Sequence, residues 1–507
     1  MNAIGCRRAV LAAAAAAWLC TCAAPAAAQS PRPFSPYVTL GETWSDNPAL
    51  TGGTARAGWI TQLSPGLRAE THGSVVDLSM DARWHVLRFS SVENRDSNQR
   101  FVDARARVRA YAGLGMDADV QVAQQNLNAF GPASTPDRPN TGANHIETRL
   151  LQAAPYVRGE RADLVAYEAR AVASDLRSAG DALPTLHSLE FDAAARGPHA
   201  GSVVRWKADA RSFQVSAENG RTLDDRRARG SVALRAAGEL YVGAVFGYDA
   251  TDFLGEERRS GFARGAAFSW NPGPRTHAGA IFERRFYGPA HDVQVAYRTP
   301  RTAWRLTSVR DLTILPNVLT AGHSSSQAAL MEELLASAIP DPRARALAAR
   351  QRLDESALGG AAPFSSSFLA TRPVDYREDE IAGTWQGVRS TIALRANRRE
   401  QRTTGVALAP TVIAVFDEDV RQTRYSAQWS HRLTPLATLA LEAAWLRTVS
   451  LDDSGHSRER QLTARFNVSL GPRSGVAFGV RRALFAGSAG PDSFGERAVF
   501  ALFTAKL

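Results

Sequence analysis

The side chains that could do chemistry in this chain are scattered, and no spacing gathers them into a reacting centre. His323 stands before Ser324, Ser325 and Ser326, a base beside three hydroxyls. A polar loop ending in a helix cap accounts for the same four residues without chemistry. Asp77, Asp81 and Arg83 share one face of a strand and could serve acid–base transfer, but a wall of compensating charges uses the same residues. The ten histidines offer no pair at metal-ligand spacing with carboxylates nearby. H-E-x-x-H, G-x-S-x-G, the P-loop and G-x-G-x-x-G are absent from the sequence. The three cysteines, Cys6, Cys20 and Cys22, all precede Ala28, so the rest has no thiolate nucleophile, disulfide or cysteine metal site. The expectation is a protein that is not an enzyme and holds no cofactor.

The charges are organised instead by a period of two. In Arg100 to Ala112, RFVDARARVRAYA, Val102, Ala104, Ala106, Val108 and Ala110 fall on one face, and Asp103, Arg105, Arg107, Arg109 and Tyr111 on the other. Alternation of this length is a β-strand signal. Three arginines and an aspartate would be costly in a dry core, yet they suit a water-filled lumen. Small and β-branched residues on the opposite face suit lipid. Together these make the pattern of a transmembrane barrel strand.

The pattern recurs. Asp77, Ser79, Asp81, Arg83 and His85 oppose Val76, Leu78, Met80, Ala82, Trp84 and Val86. Arg205, Lys207, Asp209 and Arg211 oppose Val204, Trp206, Ala208 and Ala210, and Arg465 stands opposite Leu462, Ala464 and Phe466. Weaker versions occur at 240–248, 262–270, 391–399, 423–431 and 438–447. Tight turns, such as His72-Gly73, Ala237-Gly238 and Thr434-Pro435, alternate with longer polar loops, such as Asn126 to Ala143, Ser174 to Leu186 and Ala217 to Arg226. Short periplasmic turns and long outer loops are the rhythm of outer-membrane barrels. The fold class is all-β, a transmembrane outer-membrane β-barrel of about 22 antiparallel strands within a range of 18–24. Ser64-Pro65-Gly66 suggests a bulge or kink in the second strand.

Residues 1–28 read as a secretory signal peptide: basic Arg7 and Arg8, an apolar run, then Ala26-Ala27-Ala28. No later run is apolar enough for a membrane helix, so residues 29–507 must span as a closed barrel. Only about eight residues separate the leader from the first strand, too few for the large N-terminal plug of a TonB-dependent receptor. The formal charge of +10 is carried mostly by arginine; Lys207 and Lys506 are the only lysines. Export makes nucleic acid a poor partner. Outer-membrane lipid, lipopolysaccharide phosphates and anionic polysaccharide fit better. The final stretch, Glu496 to Leu507, resembles the signal read by barrel assembly machinery, although it ends in Leu507 instead of an aromatic residue.

One insertion, 313–373, interrupts the rhythm. Leu330, Met331, Leu334 and Leu335 lie at helical spacing. Asp341-Pro342 reads as an N-cap with proline at the first helical position, and Arg343 to Leu358 as a second helix closed by Gly359. An apolar stripe must cover something. The hairpin could constrict the lumen, form an outer lid or bind a partner. As a constriction, Leu330, Leu334 and Leu335 would bury against the wall, and Arg343, Arg345 and Arg350 would bias the lumen toward anions.

Three stretches resemble the outer-membrane β-barrel proteins associated with the PEP-CTERM/exopolysaccharide system of Gram-negative bacteria. They are Ser35 to Leu50, with Ser45-Asp46-Asn47; Ile60 to Glu70, with Ser64-Pro65-Gly66; and Ser366 to Arg402, with Phe368 to Arg372. Val374-Asp375 departs from the more apolar continuation of that family. The resemblance implies a role beside exopolysaccharide export machinery or in surface anchoring, and supplies no catalytic residue. The rivals are a general porin and a barrel enzyme acting on lipid or glycan.

Overall fold

The computed structural model describes residues 34–53, 55–90, 96–133, 144–161, 164–181, 184–197, 202–314, 327–355, 372–408, 419–452, 454–488 and 493–507. The signal peptide at 1–28, His323 to Ser326, Gly359, Phe368 and the side chain of Arg343 lie outside the described residues.

The first strands are β1 (Phe34–Ser45), β2 (Gly58–His72), β3 (Val76–Phe89), β4 (Ser97–Arg109), β5 (Leu114–Asn126), β6 (His145–Arg161) and β7 (Val165–Ser178). Then come β8 (Leu186–Arg196), β9 (Val204–Ala217), β10 (Thr222–Ala237), β11 (Leu240–Thr251), β12 (Arg259–Gly273), β13 (Thr276–Arg285), β14 (Gly288–Arg298) and β15 (Thr302–Thr313). Two helices follow, α1 (Gln327–Leu335) and α2 (Pro342–Glu355). The last strands are β16 (Val374–Gln386), β17 (Ser390–Thr403), β18 (Val420–Thr434), β19 (Ala437–Ser450), β20 (His456–Gly471), β21 (Ser474–Gly487) and β22 (Phe494–Lys506).

These 22 strands form one antiparallel sheet among the described residues. It closes because β1 pairs with β22, from Tyr37 opposite Lys506 to Ser45 opposite Ala498. Closure leaves no strand edge unpaired, which is what lets a sheet stand in hydrocarbon. The sequence alternation decides which face is which. Leu462, Phe466, Phe478, Val480, Val499 and Phe503 are exposed on the outside. Inward neighbours on the same strands, Gln461, Thr463, Arg481, Glu496 and Ala498, are buried. Trp206, Trp270, Tyr297, Trp304 and Trp385 lie exposed near the short-turn end, and Trp44, Trp59 and Tyr425 near the other. Aromatic rings at both margins of the apolar band mark the two membrane interfaces.

Three local expectations are corrected. Ala217 to Arg226 is not a long loop: β9 runs to Ala217 and β10 begins at Thr222, joined by a turn with Asn219 at φ 59°. The strands run on because Asp225 and Arg227 continue the inward series and find partners there. β7 likewise extends to Ser178. Ser64-Pro65-Gly66 makes no bulge. Leu63 opposite Val86 and Gly66 opposite Arg83 keep one register, and only the residues between lose their pairing. Pro65 has no N–H to give, and Gly66 leaves room for the tip of the Tyr37 ring, which a Cβ there would displace.

Candidate functional site in the lumen

The inward series of β3 to β5 gathers Asp77, Asp81, Arg83, Asp103, Arg105, Arg107 and Arg109. Arg109 pairs with Asp77, and Arg107 with Asp117 at 2.8 Å. Arg105 lies 3.4 Å from Asp103 and 3.6 Å from Asp119. Asp81 accepts from Tyr37 at 3.2 Å and pairs with Arg68 and Arg83. A cavity of about 390 Å³ runs along this wall, lined among others by Arg68, Asp81, Arg83, His85 and Arg465.

The wall from β8 to β15 is more tightly tied. Lys207 meets Asp209 at 2.9 Å, Arg211 meets Glu190 at 2.7 Å, and Arg205 stacks on Tyr241 at 3.6 Å. Arg227 holds Asp225 at 2.7 Å and Asp311 at 2.6 Å. Arg229 holds Asp249 at 2.8 Å and Glu283 at 2.7 Å. Arg285 holds Glu283 at 2.8 Å and Asp311 at 2.7 Å. Three guanidiniums and four carboxylates therefore form one buried network. It reaches from β10 to β15 directly, so the wall bends sharply there. On the outside, Ala169, Ala193, Ala210 and Ala228 face one another across β7 to β10 and line the groove this bend leaves. Small residues permit the indentation.

Toward the long-loop end, inward residues change from charged to apolar. Leu150, Leu176, Leu186, Phe213 and Val215 pack with Leu223, Leu312 and three residues from outer connections, Phe253, Ile314 and Leu408. This cluster draws β6 to β10 together with β15 across the interior. Burial of such side chains stabilises by roughly 1.5–3 kcal/mol each.

A second obstruction comes from the connection after β5. Phe130 is buried against Val420 on β18, and Ala133 packs on Ala444 and Leu446 of β19. The Ala133 amide donates to Glu459 of β20 at 2.8 Å. Asn144 braces the loop by donating to the carbonyls of Asn128 and Pro132, each at 3.1 Å.

The third obstruction is the helical hairpin. Met331, Leu334 and Leu335 of α1 pack with Ala349 and Leu353 of α2 and with Ala303 of β15, whose exposure is 0%. Leu330 is buried as well. Gln327 hydrogen-bonds Gln428 on β18, and Arg298 of β14 pairs with Glu333 at 3.1 Å. On the far side, Arg350 of α2 pairs with Glu70 of β2 at 2.7 Å. The hairpin thus crosses the interior between two distant arcs of wall. Asp341 caps α2, accepting from the Ala344 amide at 2.9 Å, as N-cap aspartates do. Arg345 donates to the Ile339 carbonyl at 3.3 Å. Arg350 is thus a paired charge, while Arg345 is tied only to the backbone of its own hairpin and keeps its charge.

One interior arginine differs, and the sequence reading passed over it. Arg424 of β18 is 5% exposed, and its Nε and Nη2 have no hydrogen-bond partner among the described residues. It stands opposite Asn397, diagonal to Arg395 and Arg399 of β17. Arg399 takes Glu378 at 3.4 Å, and Arg395 approaches Glu380 at 3.7 Å. The alternation Gln422, Arg424, Ser426, Gln428, Ser430 could have shown its inward facing.

A closed antiparallel barrel with an apolar exterior and a charged, obstructed interior defines an outer-membrane β-barrel, and the Gram-negative outer membrane is its location. No family model and no curated protein matches the chain. Among solved structures it is similar to the FrpB iron transporter of Neisseria meningitidis, at 8% identity and TM-score 0.49, covering 94% of this chain and 83% of that one. It is similar to the siderophore receptor PirA of Pseudomonas aeruginosa, at 7% identity and TM-score 0.43, with 95% and 81% covered. The outer membrane protein opdK of the same species follows at 9% and TM-score 0.34, with 94% and 99% covered. What those proteins are named for stays with them.

Proposed function

We propose that this barrel is a gated outer-membrane conduit that passes or anchors an acidic extracellular polysaccharide. The observation that carries the gated reading is the hairpin braced between Ala303 and Glu70. An open porin has no use for helices buried across its lumen. The anionic cargo is supported by Arg424, Arg399 and Arg395, three guanidiniums close together of which Arg424 forms no ion pair among the described residues. The exopolysaccharide assignment rests on the resemblance of 35–50, 60–70 and 366–402. The test is planar-bilayer conductance of the purified barrel and of a variant lacking residues 322–360. Deletion should raise conductance, with anion selectivity that declines with salt as the Debye length falls from about 10 Å at 0.1 M to about 3 Å at 1 M. Unchanged conductance overturns the gate, and cation selectivity overturns the cargo.

A further inference from the structure

The outward face of β19 to β22 carries charge of a different kind. Arg447, Arg458, Arg460, Arg482 and Arg497 are all exposed, while their inward neighbours Leu446, Glu459, Arg481 and Glu496 are buried. Arg447 stands directly opposite Arg458, and Arg482 directly opposite Arg497. Arg460 stands opposite Trp445. Among the described residues none of the five side chains makes a hydrogen bond or ion pair; Arg497 touches Asp46 only through its backbone. Asp46, across from Arg497 just beyond the end of β1, has its carboxylate on the Arg497 amide at 2.7 Å, and the outward Glu400 of β17 is taken by Arg398, Arg402 and Arg421. Asp452, in the turn beyond β19, is held by Ser450 and Ser454.

Like charges directly opposite on paired strands destabilise a sheet. Two such pairs on four adjacent strands, with Arg460 between them on β20, call for an outside anion. Their height names its kind. Trp445 stands beside Arg460 and Leu462 beside Arg482, and below them the same face runs through Leu441, Phe466, Val480, Phe478, Val499 and Phe503, so the cluster meets the apolar band at its outer margin. A ligand there needs phosphates at the arginines and acyl chains along the strands below. We infer that β19 to β22 form a binding site for a phosphorylated glycolipid of the outer leaflet, the lipid A part of lipopolysaccharide. Guanidinium forks suit its phosphates in bidentate geometry. The hydrocarbon ridge takes its chains, and the bound phosphates relieve the Arg447–Arg458 and Arg482–Arg497 repulsions. This site is independent of what passes through the lumen.

The test is native mass spectrometry of the folded full barrel in detergent, titrated with diphosphorylated lipid A, with lipid A stripped of both phosphates, and with phosphatidylglycerol. The wild type should retain diphosphorylated lipid A at least tenfold more tightly than either alternative. The double variants Arg447→Gln/Arg458→Gln and Arg482→Gln/Arg497→Gln should each weaken retention severalfold, and the quadruple variant tenfold or more. Arg421→Gln, whose charge already belongs to Glu400, should leave it unchanged. Without lipid A, each double variant should melt at or above the wild-type temperature, because a like-charge pair has been removed; a lower melting temperature would overturn the repulsion argument. Equal retention by the quadruple variant, or equal binding of the dephosphorylated lipid or of phosphatidylglycerol, would overturn the site.

Discussion

On β19 to β22 arginine occurs on both faces of one wall, and the two faces treat it in opposite ways. Inside, Arg481 lies against Glu496 at 2.9 Å, with side chains 3% and 2% exposed. Outside, one residue along each strand, Arg482 and Arg497 stand opposite each other, and among the described residues neither side chain forms an ion pair. Inside, a guanidinium is removed from bulk water, and its desolvation must be met by a partner held in place by the fold. Outside, at the margin of the bilayer, the solvent itself carries anions, so the fold need not supply them. Pairing therefore reports where a charge faces, and an unpaired arginine inside the barrel, as at Arg424, is the exception that asks for a ligand.

The largest expected effect breaks the inner half of this comparison. Glu496→Ala removes the carboxylate that faces Arg481 and should cost about 3–5 kcal/mol, the loss expected when one partner of a buried pair is deleted. Arg482→Ala, next to it on the outer face, should leave stability in detergent within about 0.5 kcal/mol. Urea unfolding of the refolded barrel, followed by heat-modifiable migration, reads both. Similar losses for the two variants would mean that the inner and outer faces have been exchanged.

A smaller effect sharpens the outer half. Arg458 and Arg460 are tolerated on the lipid side of β20 because they stand at the margin; Ala464 lies farther down the same face, opposite Leu441 and Val480. Ala464→Arg should cost roughly 2–4 kcal/mol in a lipid bilayer, the depth-dependent cost of a cation near mid-membrane. The inward neighbour Arg465→Ala should be mild. If Ala464→Arg folds into vesicles as well as Arg465→Ala, the apolar band does not pass through Ala464.

Much of this was legible in the chain. Strict alternation announces Arg105, Arg107 and Arg109 as one face, and Asp341-Pro342 announces the start of α2, because each signal lies within a few residues. The strand number follows from the repetition. What was hidden depends on partners far apart in sequence. Nothing near Arg227 names Asp311, and nothing near Ala133 names Glu459, 326 residues away. Residues 127–133 after β5 therefore read as part of an outer loop when they fold inward. A wall of compensating charges is legible as a type, but which carboxylate meets which arginine is not. Arg424 is a different case: the alternation of β18 places it inward, but nothing near it in sequence shows that it lacks an ion-pair partner there.

The smallest expected effect lies between the two kinds of arginine. Arg350 is inside the barrel, yet it and Glu70 remain 45% and 25% exposed at 2.7 Å. It is an interior pair still in contact with water. A double-mutant cycle of Arg350→Ala and Glu70→Ala should give a coupling of about 0.2–1 kcal/mol, the range of solvated ion pairs, and the coupling should shrink as salt rises. The apolar side of the hairpin, on Ala303, should hold far better than this latch. A gate needs that inequality: one firm hinge, and one contact weak enough to open without unfolding the barrel. Single-channel recordings of Arg350→Ala should then show more frequent opening at unchanged open-state conductance. A coupling above about 2 kcal/mol that ignores salt would place Arg350 with the buried structural pairs such as Arg481 and Glu496, and would make the hairpin a fixed plug.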